Sequence, residues 1–129
     1  MASTPTPGEE QPGSFLYHYR ATVTAVHDGD TCTVDIDLGL GTWVHGAHVR
    51  LNRINAPELH GVDQARGEAA RDYLTGLLLD KAIVLQTIKD TREKFGRYLG
   101  EVWLERDGQP ALNVNDDLVT SGHARYQKY

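Results

Sequence analysis

DQARGEAARDYLTGLLLDKAIVLQTI, residues Asp63 to Ile88, changes its hydrophobic period partway along, and that change decides the fold. In its first part Ala69, Tyr73, Leu74, Leu77 and Leu78 recur at helical spacing with polar residues opposite, which predicts a helix over about Asp63–Leu79. From Ala82 to Ile88 the residues turn apolar and β-branched, which reads as a strand. What flanks this pair fixes how it is used.

Three strands come first. Tyr17, Tyr19, Ala21 and Val23 alternate with His18, Arg20 and Thr22, and the run ends at the turn signal Asp28-Gly29-Asp30. Cys32, Val34, Ile36 and Leu38 then alternate with Thr33, Asp35 and Asp37 until Gly39 and Gly41 break the pattern. A third strand runs from about Trp43 to Ile54, with Ala47, Val49 and Leu51 inward, and stops before Pro57. Beyond the helix and the fourth strand, Arg97–Leu104 reads as a fifth. Asn113 then caps a short helix, with Asp116 three residues on and Gly122 closing it. The order β-β-β-α-β-β-α is that of the OB-fold: mainly β with helices (α+β), a five-stranded Greek-key barrel with two packed helices. A sandwich lacks the helix between strands three and four, and a parallel α/β sheet needs one after nearly every strand.

The 129 residues make about one domain with one modest core. Composition is ordinary, 40% hydrophobic and 24% charged, and no apolar run approaches the roughly 20 residues of a membrane span. Residues 1–14 hold three of the five prolines and little apolar surface, so a disordered tail is expected there, with the folded domain at 15–129. That tail also lacks an apolar leader core and carries Glu9 and Glu10, so the expectation is an intracellular protein, phage or mobile-element products included. Cys32 is the sole cysteine, which excludes an intramolecular disulfide and a multi-cysteine zinc site. A net charge of −5 argues against coating nucleic acid through bulk positive charge. It leaves a local pair of arginines untouched, because exposed charges beyond about 8 Å are screened.

Three clusters hold chemistry. In Asp28-Gly29-Asp30-Thr31, two carboxylates share a turn whose glycine is free to take φ > 0, and their oxygens suit a hard cation. A solvated hairpin turn is the plainer reading of the same residues. In Arg50-Leu51-Asn52-Arg53-Ile54-Asn55-Ala56-Pro57-Glu58, Arg50 faces opposite to Val49 and Leu51, and Asn55 and Glu58 bracket a stiff Pro turn. A guanidinium there offers a planar fork to phosphate and a carboxylate can take a proton from water; alternatively the two make a surface ion pair. Lys94-Phe95-Gly96-Arg97 follows a charged run and is either a solvated hairpin or a second guanidinium for the same phosphate.

In order and on this strand pattern, the three clusters resemble the staphylococcal nuclease-like (thermonuclease) family, over about Tyr17 to Tyr126. Val114-Asn115, Leu118-Val119 and Gly122 resemble the family's helix after the barrel. The resemblance implies a Ca²⁺-dependent phosphodiesterase acting on DNA and RNA. It implies Asp30 as a direct metal ligand, with Asp28 supporting the metal or its waters. Asn55 is implied as the second side-chain ligand and the Ala56 carbonyl as a third. Glu58 matches the carboxylate that positions or deprotonates the attacking water, and Arg50 and Arg97 the pair that grips the phosphate. Lys94 and Phe95 line the nucleotide pocket on this reading, and Tyr126 lies near the bound base.

Two departures from the family pattern stand out. Asn55 replaces the aspartate of the best-known members, which takes one formal charge from the metal site and is expected to weaken its hold on calcium. The chain also stops at Tyr129, so either the segment around Phe15–Tyr19 or a second copy, as a homodimer, is expected to cover core surface. The rival to catalysis is an inactive module of the same fold that binds nucleic acid or protein. A zinc enzyme is the third reading, raised by six histidines; His45 and His48, three apart on a strand, point to opposite faces and suit surface roles.

Overall fold

A computed structural model describes residues 17–92 and 94–128. The expected tail over residues 1–14 lies outside the described residues, as does Phe15. The strands are β1 (His18–Asp28), β2 (Thr31–Gly39), β3 (Thr42–Leu51), β4 (Ile54–Asn55), β5 (Ala82–Arg92), β6 (Tyr98–Arg106), β7 (Gln109–Asn113) and β8 (Arg125–Tyr126). The helices are α1 (Gln64–Leu78), entered by a 3₁₀ turn at Gly61–Asp63, and α2 (Val114–Thr120). Five strands close a barrel. Antiparallel pairs join β3 to β2, β2 to β1, β1 to β5 and β5 to β6, and a parallel pairing of β3 with β6 shuts the ring. The OB-fold reading holds.

The barrel closes because alternate residues of each strand are apolar. Val23, Val34, Val49, Leu51, Leu85 and Val102 are fully buried, one or two from each of the five strands. The α1 helix caps one end with Gly67, Ala70, Leu74 and Leu78; Ala69, expected on the buried stripe, faces out. Each fully buried leucine contributes about 1.5–3 kcal/mol of transfer free energy. The α1 end is stitched to β1, since Asp80 N–H donates to the Val23 carbonyl and Val23 N–H to that of Lys81. In α2, Val114 and Leu118 enter the core, and Asn113 Oδ1 accepts from Asp116 N–H (2.9 Å), the expected N-cap.

Three features differ from the sequence reading. The third strand ends at Leu51, because Arg53 takes a left-handed backbone (φ 68°) that no strand continues through. Ile54 and Asn55 instead form β4, which pairs with Tyr126 and Arg125 of β8. A further strand, β7, returns along β6 after the Asp107-Gly108 turn; Pro110, which cannot donate to a ladder, had hidden it on an edge. Of the segment proposed to cover the core, Tyr19 packs on it from β1.

Candidate active site

Gly29 sets the site's first element by close approach. A Cβ there would stand 2.7 Å from the Cβ atoms of both Ala56 and Ala70, so only glycine lets the β1–β2 turn lie against α1 and the Pro57 segment. Its backbone is outside the left-handed region, so the expected need for φ > 0 is not why glycine stands here. Asp28 Oδ1 accepts from Asp30 N–H (3.0 Å) and Thr31 Oγ1 (2.7 Å), which closes the turn on itself. Asp30 is therefore turned inward. Only 7% exposed, its Oδ2 accepts from Ala56 N–H (2.8 Å) and lies 3.3 Å from Arg50 Nη2.

Arg50 comes from the outer face of β3 yet is buried too. Its Nη1 donates to the Leu51 carbonyl (2.8 Å) and its Nη2 to Asn55 Oδ1 (3.3 Å). Asp28, Asp30, Arg50, Asn55 and Ala56 thus form one continuous set, drawn from the β1–β2 turn, β3 and β4. Burial first, and then the neighbouring Asp28, push the Asp30 carboxyl up to about 7, against the pull of Ala56 N–H and Arg50. Asp28 moves the other way: burial would raise it, but hydrogen bonds from Asp30 and Thr31 and the Arg50 charge outweigh that and hold it low. The two carboxyls behave as a dyad holding one proton between them.

That donor set fits a hard cation. Asp30 Oδ2 and Asn55 Oδ1 both lie 3.3 Å from one Arg50 nitrogen, so two oxygens already converge on a single positive group. All the donors are oxygens, as calcium prefers, and once deprotonated the two carboxylates set two negative charges against the one guanidinium. Among the described residues no three His, Cys, Asp or Glu side chains gather as a metal cluster; an ion held here would draw on the two carboxylates, Asn55 and backbone oxygens. The described contact to Ala56 runs through its N–H; the carbonyl expected as a ligand belongs to the next peptide.

Glu58 stands apart from this set on the same loop. Exposed, it lines a cleft of about 270 Å³ with Asn55, Ala56, Pro57, Arg66 and Arg125. Its backbone is fixed by α1, because a Cβ on Gly67 would fall 2.1 Å from the Glu58 carbonyl oxygen. Lys94, Phe95 and Arg97 make a third group at the start of β6. Phe95 is exposed, with Lys94 Nζ 5.1 Å and the Arg97 guanidinium 5.3 Å from its ring centre. The parallel register Arg50↔Leu99 brings this turn beside β3, two residues along from the partner of Arg50.

A family model described as staphylococcal nuclease homologue matches residues 48–129, well over half of the chain. The chain belongs to the staphylococcal nuclease homologue family. Among curated proteins, none matches it. The family match spans Arg50, Asn55–Glu58, Lys94–Arg97 and Tyr126, while Asp28 and Asp30 precede it in sequence and join it through the β2–β3 and β1–β2 pairings.

Tyr126, expected near a base, has its OH donating to Asp116 Oδ1 (2.9 Å), and its ring lies 5.9 Å from the Arg53 guanidinium. This exposes a network missed in the sequence. Arg53 grips Glu101 with two bonds (Nε to Oε2 2.9 Å, Nη2 to Oε1 2.7 Å) and Asp116 with a third (3.0 Å). Asn115, fully buried, accepts from Val102 N–H and donates to the carbonyls of Asn52 and Gly100. Together they tie the β3–β4 corner, and so Asn55, to β6 and α2. The Asn115 amide was visible only as part of the family's helix motif; Glu101 gave no signal in the sequence.

The histidines do not gather on one ion. His45 lies 3.3 Å from Asp35, and His48 Nδ1 3.2 Å from Thr33 Oγ1. Both nonetheless share the outer face, because the left-handed Gly46 (φ 70°) breaks the alternation that was to separate them. Cys32 is a core residue, its thiol pushed up to about 12 by burial and by Asp28.

Proposed function

We propose that the protein is a calcium-dependent nuclease that hydrolyses phosphodiester bonds of DNA or RNA. The observation that supports this above others is the convergence of Asp30 and Asn55 on the buried Arg50, beside a second carboxylate. On this reading Asp30, Asn55 and the Ala56 carbonyl hold the ion, and Asp28 orients Asp30 or a bound water. When bound, the ion supplies Lewis-acid polarisation of a non-bridging phosphate oxygen.

The chain's own residues do the rest. Arg50 and Arg97 donate to phosphate oxygens, meeting charge that grows as phosphorus becomes five-coordinate. Glu58, at the cleft edge, takes a proton from the attacking water as the new O–P bond forms. The P–O bond opposite breaks in line, and the leaving oxygen takes its proton from solvent. Lys94, Phe95 and Tyr126 border the nucleotide. A plasmid-nicking assay tests the proposal: cleavage with Ca²⁺, none with chelator, and recovery on adding the ion back. Binding without cleavage at any Ca²⁺ concentration would assign the chain to the inactive binding modules of the fold.

A further inference from the structure

The outer face of β1–β3 continues outward from Arg50 as a series of rows. Thr31 pairs with Arg50, Thr33 with His48 and Asp37 with Trp43, and paired residues share a face. Beside Thr33, His27 enters from β1: its Nε2 lies 2.6 Å from Thr33 Oγ1, on which His48 Nδ1 also converges. The two rings are 5.8 Å apart and tilted. Thr33 Oγ1 has one proton and two lone pairs, so at most one of these rings accepts from it, and a neutral ring that does so keeps its own proton on the nitrogen facing away. Of this row, His48 stands two residues from Arg50 on β3 and adjoins Val49, the partner of Tyr98 next to Arg97.

At the far end Trp43 is 45% exposed, stacked at 7° on His45. The acids between are already engaged. Asp35 faces His45 and accepts from Gly46 N–H (3.0 Å), and Asp37 accepts from Gly39 N–H (2.8 Å). Negative charge at the outer rows repels a phosphate and leaves a neutral base as the group that suits Trp43. A base can offer its flat side to an indole only when it is not stacked within a duplex. Seven residues of strand separate Trp43 from Arg50, about 23 Å at the usual rise, a span in keeping with the ~4–16 nucleotides an OB-fold covers.

We propose that this face is a track for single-stranded nucleic acid, in which His27, Thr33 and His48 hold the phosphate next to the scissile one and Trp43 stacks a base further along. The track rests on the nuclease reading only for where the scissile phosphate lies. The test uses the full chain in chelator, with thymidine oligonucleotides of two and eight residues and an eight-base-pair duplex, read by anisotropy and tryptophan emission. The octamer is expected to bind about tenfold tighter than the dimer, to quench emission, and to bind tighter than the duplex. Trp43→Ala and the double variant His27→Ala/His48→Ala should each remove most of that tenfold gain, and Trp43→Tyr should restore it. Variants that bind the octamer as the wild type does, or a duplex bound as tightly as the single strand, overturn the track. Calcium-dependent cleavage is scored separately: length-dependent binding without cleavage defeats the nuclease reading and supports the track, whereas cleavage with length-independent binding defeats the track alone.

Discussion

Arg50 and Asp30 face each other at 3.3 Å with less than a tenth of either side chain exposed. Pairing charges out of water does not by itself stabilise a fold, because desolvating both offsets much of their attraction. Here it does not even settle the carboxylate, which stays raised to about 7 by burial and by Asp28. Two carboxyls share one guanidinium, so once their shared proton leaves, the site is one positive charge short. That shortage is what a divalent ion would meet.

The same shortage sets the pH dependence of the metal-free protein. Folded, Asp30 keeps its proton up to about 7; unfolded, it loses it near 3.8, so between those values the folded state binds more protons. Stability from this group is therefore full below about pH 4 and declines as pH rises towards 7. Asp30→Asn keeps an acceptor for Ala56 N–H without the charge, so its urea midpoint, measured in chelator from pH 4 to 8, should lose that downward slope while calcium binding is abolished. A variant with the wild-type slope would show that another group carries the effect.

Asn55→Asp restores a charge where Asn55 Oδ1 meets Arg50. Calcium affinity follows ligand charge, so the variant should bind the ion on the order of tenfold tighter by calorimetry. Unchanged or weaker binding counts against Asn55 as a ligand.

Arg97 and Arg50 should separate kinetically. Arg50 is buried and already bonded to the carboxylate and amide of the site, whereas Arg97 is half-buried over an exposed Phe95. Arg97→Ala is expected to lower kcat on the order of a hundredfold with KM changed little, the mark of an interaction made mainly in the transition state. A loss seen only in KM contradicts that division of labour.

The barrel was legible because Val34 and Ile36, or Val49 and Leu51, announce a buried face by alternation, and Leu74 and Leu78 announce a helix by theirs. β4 and β8 were not, since a two-residue strand carries no period. Arg53 offers nothing in sequence to mark its left-handed turn or its hold on Glu101, 48 residues away. Of the site, the motifs placed Asp28, Asp30, Arg50 and Asn55 in one set, as the structure does. Arg50, Thr33 and His48 lie on the face that alternation gives them. The direct bonds of Arg50 to Asp30 and Asn55 depend instead on the turns after β1 and β3, and the place of His27 in its row depends on bulges in β1 that shift register locally. Alternation from the inward Val23 alone sends His27 to the wrong face.

Two glycines of α1 give a paired test of how Glu58 is held. Gly67 touches the Pro57–Glu58 backbone so closely that a methyl group would fall 2.1 Å from the Glu58 oxygen, while around Gly76 there is nothing within 4 Å. Both are helical, so alanine brings each the same propensity gain of about 0.5–1 kcal/mol. Gly76→Ala should show that gain as a higher melting temperature. Gly67→Ala should lose it and about 1–3 kcal/mol more, since backbone must move to admit the methyl. Moving that backbone displaces Glu58, so kcat of Gly67→Ala should fall under conditions where the variant is still fully folded, with affinity for calcium kept. If Gly67→Ala is as stable and as active as Gly76→Ala, α1 does not position Glu58.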